Sequence, residues 1–470
     1  MHTIKKGRIN MSEAKKLPLP GDNKMGTQPI GKLLFTMALP MIISMLVQAL
    51  YNVVDSIYVS QISESAVTAL GLAFPIQNIQ IGFATGIGVG MNALLSKSLG
   101  EKDQNRVNRA AGNGIFLSMI AMVLFMVFGL FGSHAYFAMQ SDNSQIVESG
   151  SVYTTICCVF SLGFFVQVLG EKLLQASGRT IYTLYIQGTG AIINIILDPI
   201  LIFGWFGLPA MGIAGAAIAT VIGQWVGAIL AVIFNLKCNP DVHFATKYLK
   251  PVADVVKPIL TVGIPSIIMV AIGSVMNFGM NQIFLGFPSE GETAAGVFGV
   301  YFKLQSFFFM PVFGLNNATI PIVAYNYGAR NPKRITATLK RAVLSVMCIM
   351  LLGLLAFQFL PEFLLGFFNP SENFERIGIQ ALRIISSIFP LAAIGIALGA
   401  SFQALGNGIY STITSLCRQL LVLLPAAYLL SLSGKLNLVW WAFPIAEVFS
   451  LFVTLFLFAR IYKKKVKPLQ

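Results

Sequence analysis

Twelve apolar runs, each long enough to cross a bilayer, constrain this chain more than any other feature. A membrane-spanning helix takes about 20 mostly apolar residues. Runs of that size recur near residues 33–58, 69–96, 111–138, 149–174, 180–204 and 211–236. After a polar stretch at 237–254 they resume near 256–285, 295–325, 338–366, 377–404, 410–432 and 437–460. In hydrocarbon every backbone N–H and C=O must find its partner inside the protein, so runs of this length fold as helices. The chain is 56% hydrophobic and only 11% charged, where a soluble domain carries roughly 25% charged residues. The expected fold is an all-α membrane protein of twelve transmembrane helices.

An even number of spans puts both chain ends on one side, and the basic residues test that. The N-terminal tail, the 2–3, 4–5, 6–7 and 8–9 loops and the C-terminal tail hold 27 of the 32 lysines and arginines, while the opposite loops hold only Arg376 and Lys435. This asymmetry is the positive-inside signature. It predicts a multi-pass protein of the plasma membrane with both termini cytoplasmic. The net charge of +14 is then a matter of topology, and a nucleic-acid partner is not expected. The polar first 32 residues lack the apolar core of a secretory signal and are expected to form a tail without stable structure.

The sequence repeats itself at an offset of 228. Gly71, Gln77, Gly86, Gly100 and Arg106 meet Gly299, Gln305, Gly314, Gly328 and Arg334; Gln175, Ala176, Gly178, Ile181 and Tyr182 meet Gln403, Ala404, Gly406, Ile409 and Tyr410. Each copy has six spans, so the copies share one orientation. That makes a parallel repeat about a pseudo-twofold axis along the membrane normal, an arrangement of transporters with the substrate path between the halves. The chain divides into a cytoplasmic tail (1–32), a six-helix lobe (33–236), a linker (237–254), a second six-helix lobe (255–460) and a basic tail (461–470). A duplicated chain of this kind can work as a monomer.

Ionisable groups inside spans are costly and point to function. Asp55 in span 1 shares a helical face with Gln48, Tyr51 and Asn52. Asp198, late in span 5, follows Asn194 by one turn, with Gln187 further along that face. The repeat puts Ala426 opposite Asp198, and aligning Pro40 with Pro265 puts Met280 opposite Asp55, so neither acid is duplicated. Such carboxylates can hold a proton or ligate Na⁺ at Asp55, Asp198 and Asn194. The bland alternative leaves Asp198 hydrated at the outer end of its helix. Pro40 and Pro199 are places where a helix can bend. In the second half Glu447 and Arg418 read either as a structural ion pair or as a charged cavity wall. Asn277 and Asn281 read as cavity lining or as helix–helix glue. Glu171, beside Lys172, is expected at the interface. The five cysteines show no metal-ligand spacing. No P-loop, HExxH or nucleophile elbow is present, so no cofactor and no enzymatic activity are expected.

The segments "YNVVDSIYVS", "LLQASGRT…NIILDPILIFGWFGLPAMGIAGAAIAT", "LQSFFFMPVFGLNNATIPIVAYNYGAR" and "FQALGNGIYSTITSLCRQ" resemble the multidrug and toxic compound extrusion (MATE) family, its bacterial MepA-like and DinF-like branches most of all. The resemblance implies two six-helix bundles in a V that export cationic or amphipathic drugs against H⁺ or Na⁺. It also implies coupling at Asp55 and Asp198 with Asn194 beside the second, and a place for Thr220 in the cavity. The second-lobe acids of the NorM-like branch are absent from spans 7 and 10 here, which favours first-lobe coupling. A lipid-linked oligosaccharide flippase of related architecture is the rival: Lys303, Arg383 and Arg418 would suit its pyrophosphate headgroup.

Overall fold

The computed structural model describes residues 23–368 and 370–469, apart from the side chains of Asn52 and Glu64. Among these residues ten helices are long and apolar enough to span a bilayer: Ile30–Ser60, Ser65–Gly100, Gln104–Phe131, Ile181–Phe203, Ile213–Cys238, Ala253–Leu285, Gly291–Gly328, Pro332–Phe359, Gly408–Ser431 and Leu436–Leu469. Two bent pairs complete the set, Ser144–Val159 with Leu162–Ala176 at 50° and Glu372–Ser386 with Phe389–Ala404 at 52°. Counted in chain order, with each pair as one span, these are spans 1–12, and the pairs are spans 4 and 10.

The duplication recurs in detail. The bent spans 4 and 10 begin at Ser144 and Glu372, and the short helices Ser133–Ala138 and Pro361–Gly366 precede them; both correspondences keep the offset of 228. Spans 3 and 9 open on side-chain caps that are repeat mates, Asp103 accepting from the Arg106 amide and Asn331 from the Arg334 amide. Aspartate and asparagine differ, but each offers an oxygen to an orphan N–H of the first turn. Spans 1 and 5 run on through Pro40 and Pro199 as helix.

One face carries both described chain ends and the basic loops, and is called the basic face below. The lobes meet there. A Cβ on Gly100 would lie 2.0 Å from the Tyr325 carbonyl oxygen, and one on its repeat mate Gly328 would lie 2.0 Å from the Lys97 carbonyl oxygen. Only glycine lets spans 2 and 8 touch backbone to backbone. At the other ends of the same helices, Gly71 and Gly299 have no atom within 4 Å of a Cβ. The two lobes therefore meet backbone to backbone on the basic face.

The tail differs from expectation over its described part. Residues 24–27 form a short helix with Met25 fully buried, held between the lobes. Residues 1–22 lie outside the described part of the chain. Large apolar side chains such as Phe131, Phe359 and Phe452 stand exposed on the outer surface, a state that lipid satisfies and water does not.

Candidate functional site

The first lobe encloses two adjoining cavities between spans 1, 2, 4, 5 and 6. One, of about 450 Å³, is lined by residues including Gln48, Tyr51, Asp55, Gln77, Tyr153 and Thr220. A narrower one, of about 70 Å³, continues past Gln48, Tyr51 and Thr220 to Glu171, Gln187 and Asn194. Spans 5 and 6 cross closely where Gly190 and Gly223 face each other's carbonyls. That crossing brings Asn194 within 3.5 Å of Thr220 Oγ1.

Helical periodicity places the polar groups. Asn194 and Asp198 lie one turn apart on span 5, and Asn194 Nδ2 donates to Asp198 Oδ1 at 3.2 Å. Asp198 is fully buried, so it is not a hydrated residue of a helix end. Its second oxygen, Oδ2, is buried without a donor, as are Asp55 Oδ1, Asn194 Oδ1 and Gln187 Oε1. Buried acceptors without donors are expensive. Here four of them belong to a single polar cluster of the first lobe. Oxygens in excess of donors are what a proton or a hard monovalent cation would satisfy, and the donor set fits either. Among the described residues no group of three His, Cys, Asp or Glu side chains could hold a metal ion.

Glu171 is the residue that sequence reasoning misplaced. It is 4% exposed, accepts from Gln167 Nε2 at 3.1 Å and Gln187 Nε2 at 2.9 Å, and lines the narrow cavity. The adjacent Lys172 turns the other way, donating to Gln175 and, across the lobe boundary, to Asn317 Oδ1 at 3.0 Å. Read as a Glu-Lys pair near a helix end, the two look interfacial. The bend in span 4 carries both inside, on opposite faces. Gln77 and Tyr153, hydrogen-bonded at 3.0 Å, also line the larger cavity; Tyr153 was not singled out by the sequence.

The remaining candidates fall elsewhere. The Asn52 side chain lies outside the described residues. Asn277 donates to the Gly273 carbonyl of its own helix at 3.1 Å, and with Asn281 it belongs to span 7 of the second lobe. Glu447 is 8% exposed and faces Arg418 at 3.8 Å, where span 11 takes a π-helical turn over Cys417–Val422. Glu447, Asn277 and Asn281 line neither cavity of the first lobe. The cations that would serve a pyrophosphate headgroup are dispersed in their engagements: Arg418 faces Glu447, Lys303 lies over the Phe368 ring at 6.0 Å, and Arg383 is exposed.

Comparison with known proteins agrees with this architecture. The MatE family model matches residues 40–200 and 265–429, one segment in each lobe. The chain is 26% identical over 432 residues to the multidrug export protein MepA of Staphylococcus haemolyticus (strain JCSC1435), covering 91% of this chain and 93% of that protein. It is 25% identical over 427 residues to the MepA of Staphylococcus aureus (strain MSSA476), covering 89% and 91%. Among solved structures, an outward-facing multidrug resistance MATE family transporter of the MOP superfamily superposes with a TM-score of 0.87 at 25% identity over 97% of this chain and 99% of that one. A MATE in complex with MaL6 does so with a TM-score of 0.88 at 25% identity over 95% and 99%. The chain belongs to the MatE family of multidrug efflux transporters, membrane proteins that move solutes and are not enzymes.

Proposed function

We propose that this protein is a secondary antiporter of the plasma membrane that exports cationic or amphipathic small molecules against H⁺ or Na⁺. In this reading the basic face is cytoplasmic, and the lobes, closed on that face, stand open outward. The coupling ion binds at Asp55 and Asp198, with Asn194 orienting the second carboxylate. The substrate lies against Gln48, Tyr51, Gln187 and Thr220. A single observation carries this: the carboxylates of Asp55 and Asp198 each keep a buried oxygen without a donor, Asp55 on the wall of the cavity of about 450 Å³ and Asp198 behind Asn194, which lines the narrower one.

The mechanism follows from charge. With the carboxylates ionised, the first-lobe cavity is anionic and low in dielectric, which favours a cationic guest. An ion arriving from outside neutralises the acids and removes that attraction, and the guest leaves outward. Release of the ion to the cytoplasm restores the charge. Ion and substrate thus bias one two-state element in opposite directions, and the coupling is reciprocal. Spans 1 and 5 contain Pro40, before Asp55, and Pro199, directly after Asp198, where missing helical hydrogen bonds make rearrangement cheap.

The test is ethidium efflux from reconstituted vesicles, with a pH gradient and a Na⁺ gradient imposed separately. Efflux driven by one gradient and lost in folded Asp55→Asn is the expected result. Full gradient-driven efflux in both Asp55→Asn and Asp198→Asn, at normal protein levels, would overturn the coupling assignment.

A further inference from the structure

The repeat gives the basic face two related seams between the lobes. At the first, the turn after span 4 and the start of span 9 grip the chain's own segment at residues 23–28. Arg334 Nη2 donates to the carbonyls of Met25 and Gln28 at 2.9 and 2.8 Å, Asn326 Nδ2 adds a bond to Met25 O at 3.0 Å, and Asn23 Nδ2 donates to Ser177 O at 3.3 Å. This seam is a set of donors closing on oxygen acceptors, with groups from both lobes.

The offset of 228 maps Arg334 onto Arg106, Ser177 onto Leu405 and Lys237 onto Lys465. At the second seam Arg106 lines a cavity of about 160 Å³ together with Lys97, Tyr327, Leu405 and Lys465. Lys465 Nζ donates to the Leu405 carbonyl and, at 2.9 Å, to Asn407 Oδ1, which holds its ammonium at the cavity wall. Lys97 lies 5.5 Å from the Tyr327 ring centre. Glu101 is the counter-charge, 3.5 Å from Lys97 and 4.0 Å from Arg106. Three cations against one carboxylate leave an excess of positive charge at the ends of spans 2 and 12, the depth of lipid headgroups.

We propose that this second seam is a binding site for a phosphate group, which bridges Lys97 and Arg106 of the first lobe to Lys465 of the second. A guanidinium fork with two ammonium groups is the side-chain chemistry that phosphate oxygens match, and basic pockets between spans on a cytoplasmic face are suited to anionic headgroups. The ligand does in this seam what the Met25 and Gln28 carbonyls do in the other: it supplies oxygens that tie the lobes on the basic face. The proposal stands independently of which ion drives transport.

Thermal unfolding of the purified full chain tests it. Inorganic phosphate is titrated in neutral detergent against chloride at matched ionic strength, and phosphatidylglycerol is compared with phosphatidylcholine in nanodiscs. A saturable upward shift of the midpoint with phosphate assigns the site to free phosphate; a shift with phosphatidylglycerol alone assigns it to a headgroup. Either shift is expected to be lost in Arg106→Gln/Lys465→Gln and weakened in the milder Lys97→Gln, and kept in Lys463→Gln/Lys464→Gln, which removes two exposed charges of the same tail. Bound anion should also slow amide hydrogen exchange in both 97–106 and 404–407. An equal shift with chloride, an equal loss in the tail variant, or slowing in one lobe alone would overturn the bridge.

Discussion

The two lobes are copies of one plan with opposite interiors. The first keeps Asp55, Glu171 and Asp198 around its cavities; the equivalent positions of the second are Met280, Gly399 and Ala426. The second lobe carries contacting rings along spans 7, 8, 10 and 12. Phe284 and Trp440 centre 4.5 Å apart, Phe298 and Phe302 4.8 Å, and Phe309 and Phe389 5.6 Å. Pairs at these separations add specific attraction to ordinary apolar burial. The difference teaches that duplication preserved what sets helix geometry: the caps, the bends in spans 4 and 10 and the glycine crossing. It did not preserve what sets chemistry. The cluster of three acids belongs to the first lobe; the second keeps Glu447, facing Arg418.

The largest way to break this comparison is to give the second lobe an acid. Met280 is fully buried, and Met280→Asp puts a carboxylate into the apolar core of the second lobe. The cost should be up to about 3 kcal/mol, the value for an acid at a span centre, read as a lower unfolding midpoint and reduced membrane yield. Near-wild-type stability would mean that the second interior tolerates charge and that the aromatic packing is looser than it looks. The reverse operation is Asp198→Asn in the first lobe. Protons and a cationic substrate compete for the ionised acid, so wild-type substrate affinity should rise with pH and flatten in the variant. The lost dependence should be about 5- to 150-fold, the usual range of a coupling free energy, measured as ethidium affinity across pH. Affinity that still rises with pH in both Asp198→Asn and Asp55→Asn would move the coupling site.

Much of this was legible in the sequence because the bilayer makes the signal coarse. Twelve apolar runs, the lysine and arginine asymmetry and the 228 offset required no knowledge of packing. Asp55, Asp198, Asn194, Gln48, Tyr51 and Gln187 were legible because helical spacing groups them on two faces. Glu171 was not, since its place depends on a 50° bend between Val159 and Leu162 that apolar residues on either side do not announce. The Met25 clasp was also hidden: Arg334 and Asn326 donate to its backbone carbonyls, and such acceptors leave no trace in side-chain pattern. Glu447 was legible only as a choice between an ion pair with Arg418 and a cavity wall; the two charges lie 3.8 Å apart, beside the π-helical turn at Cys417–Val422.

Two smaller experiments sharpen the division of labour. Glu171 holds two amide donors in the first lobe, and Glu171→Gln presents an NH₂ to one of them. The loss of one hydrogen bond to a charged group is worth about 1.5–3 kcal/mol, so cation affinity should fall roughly ten-fold or more, with expression maintained. An unchanged affinity would reduce Glu171 to scaffolding. The smallest effect is expected at the one buried acid of the second lobe that the sequence singled out. If Glu447 serves only Arg418, removing both charges should disturb little, because a buried ion pair gains in attraction about what it loses in desolvation, while removing one partner leaves the other charge stranded. Glu447→Gln should therefore destabilise more than Glu447→Leu/Arg418→Met, and neither should alter the pH dependence of ethidium affinity. A flattened pH dependence in the double variant would show a proton-linked acid in the second lobe, and the contrast between the two interiors would then be one of degree.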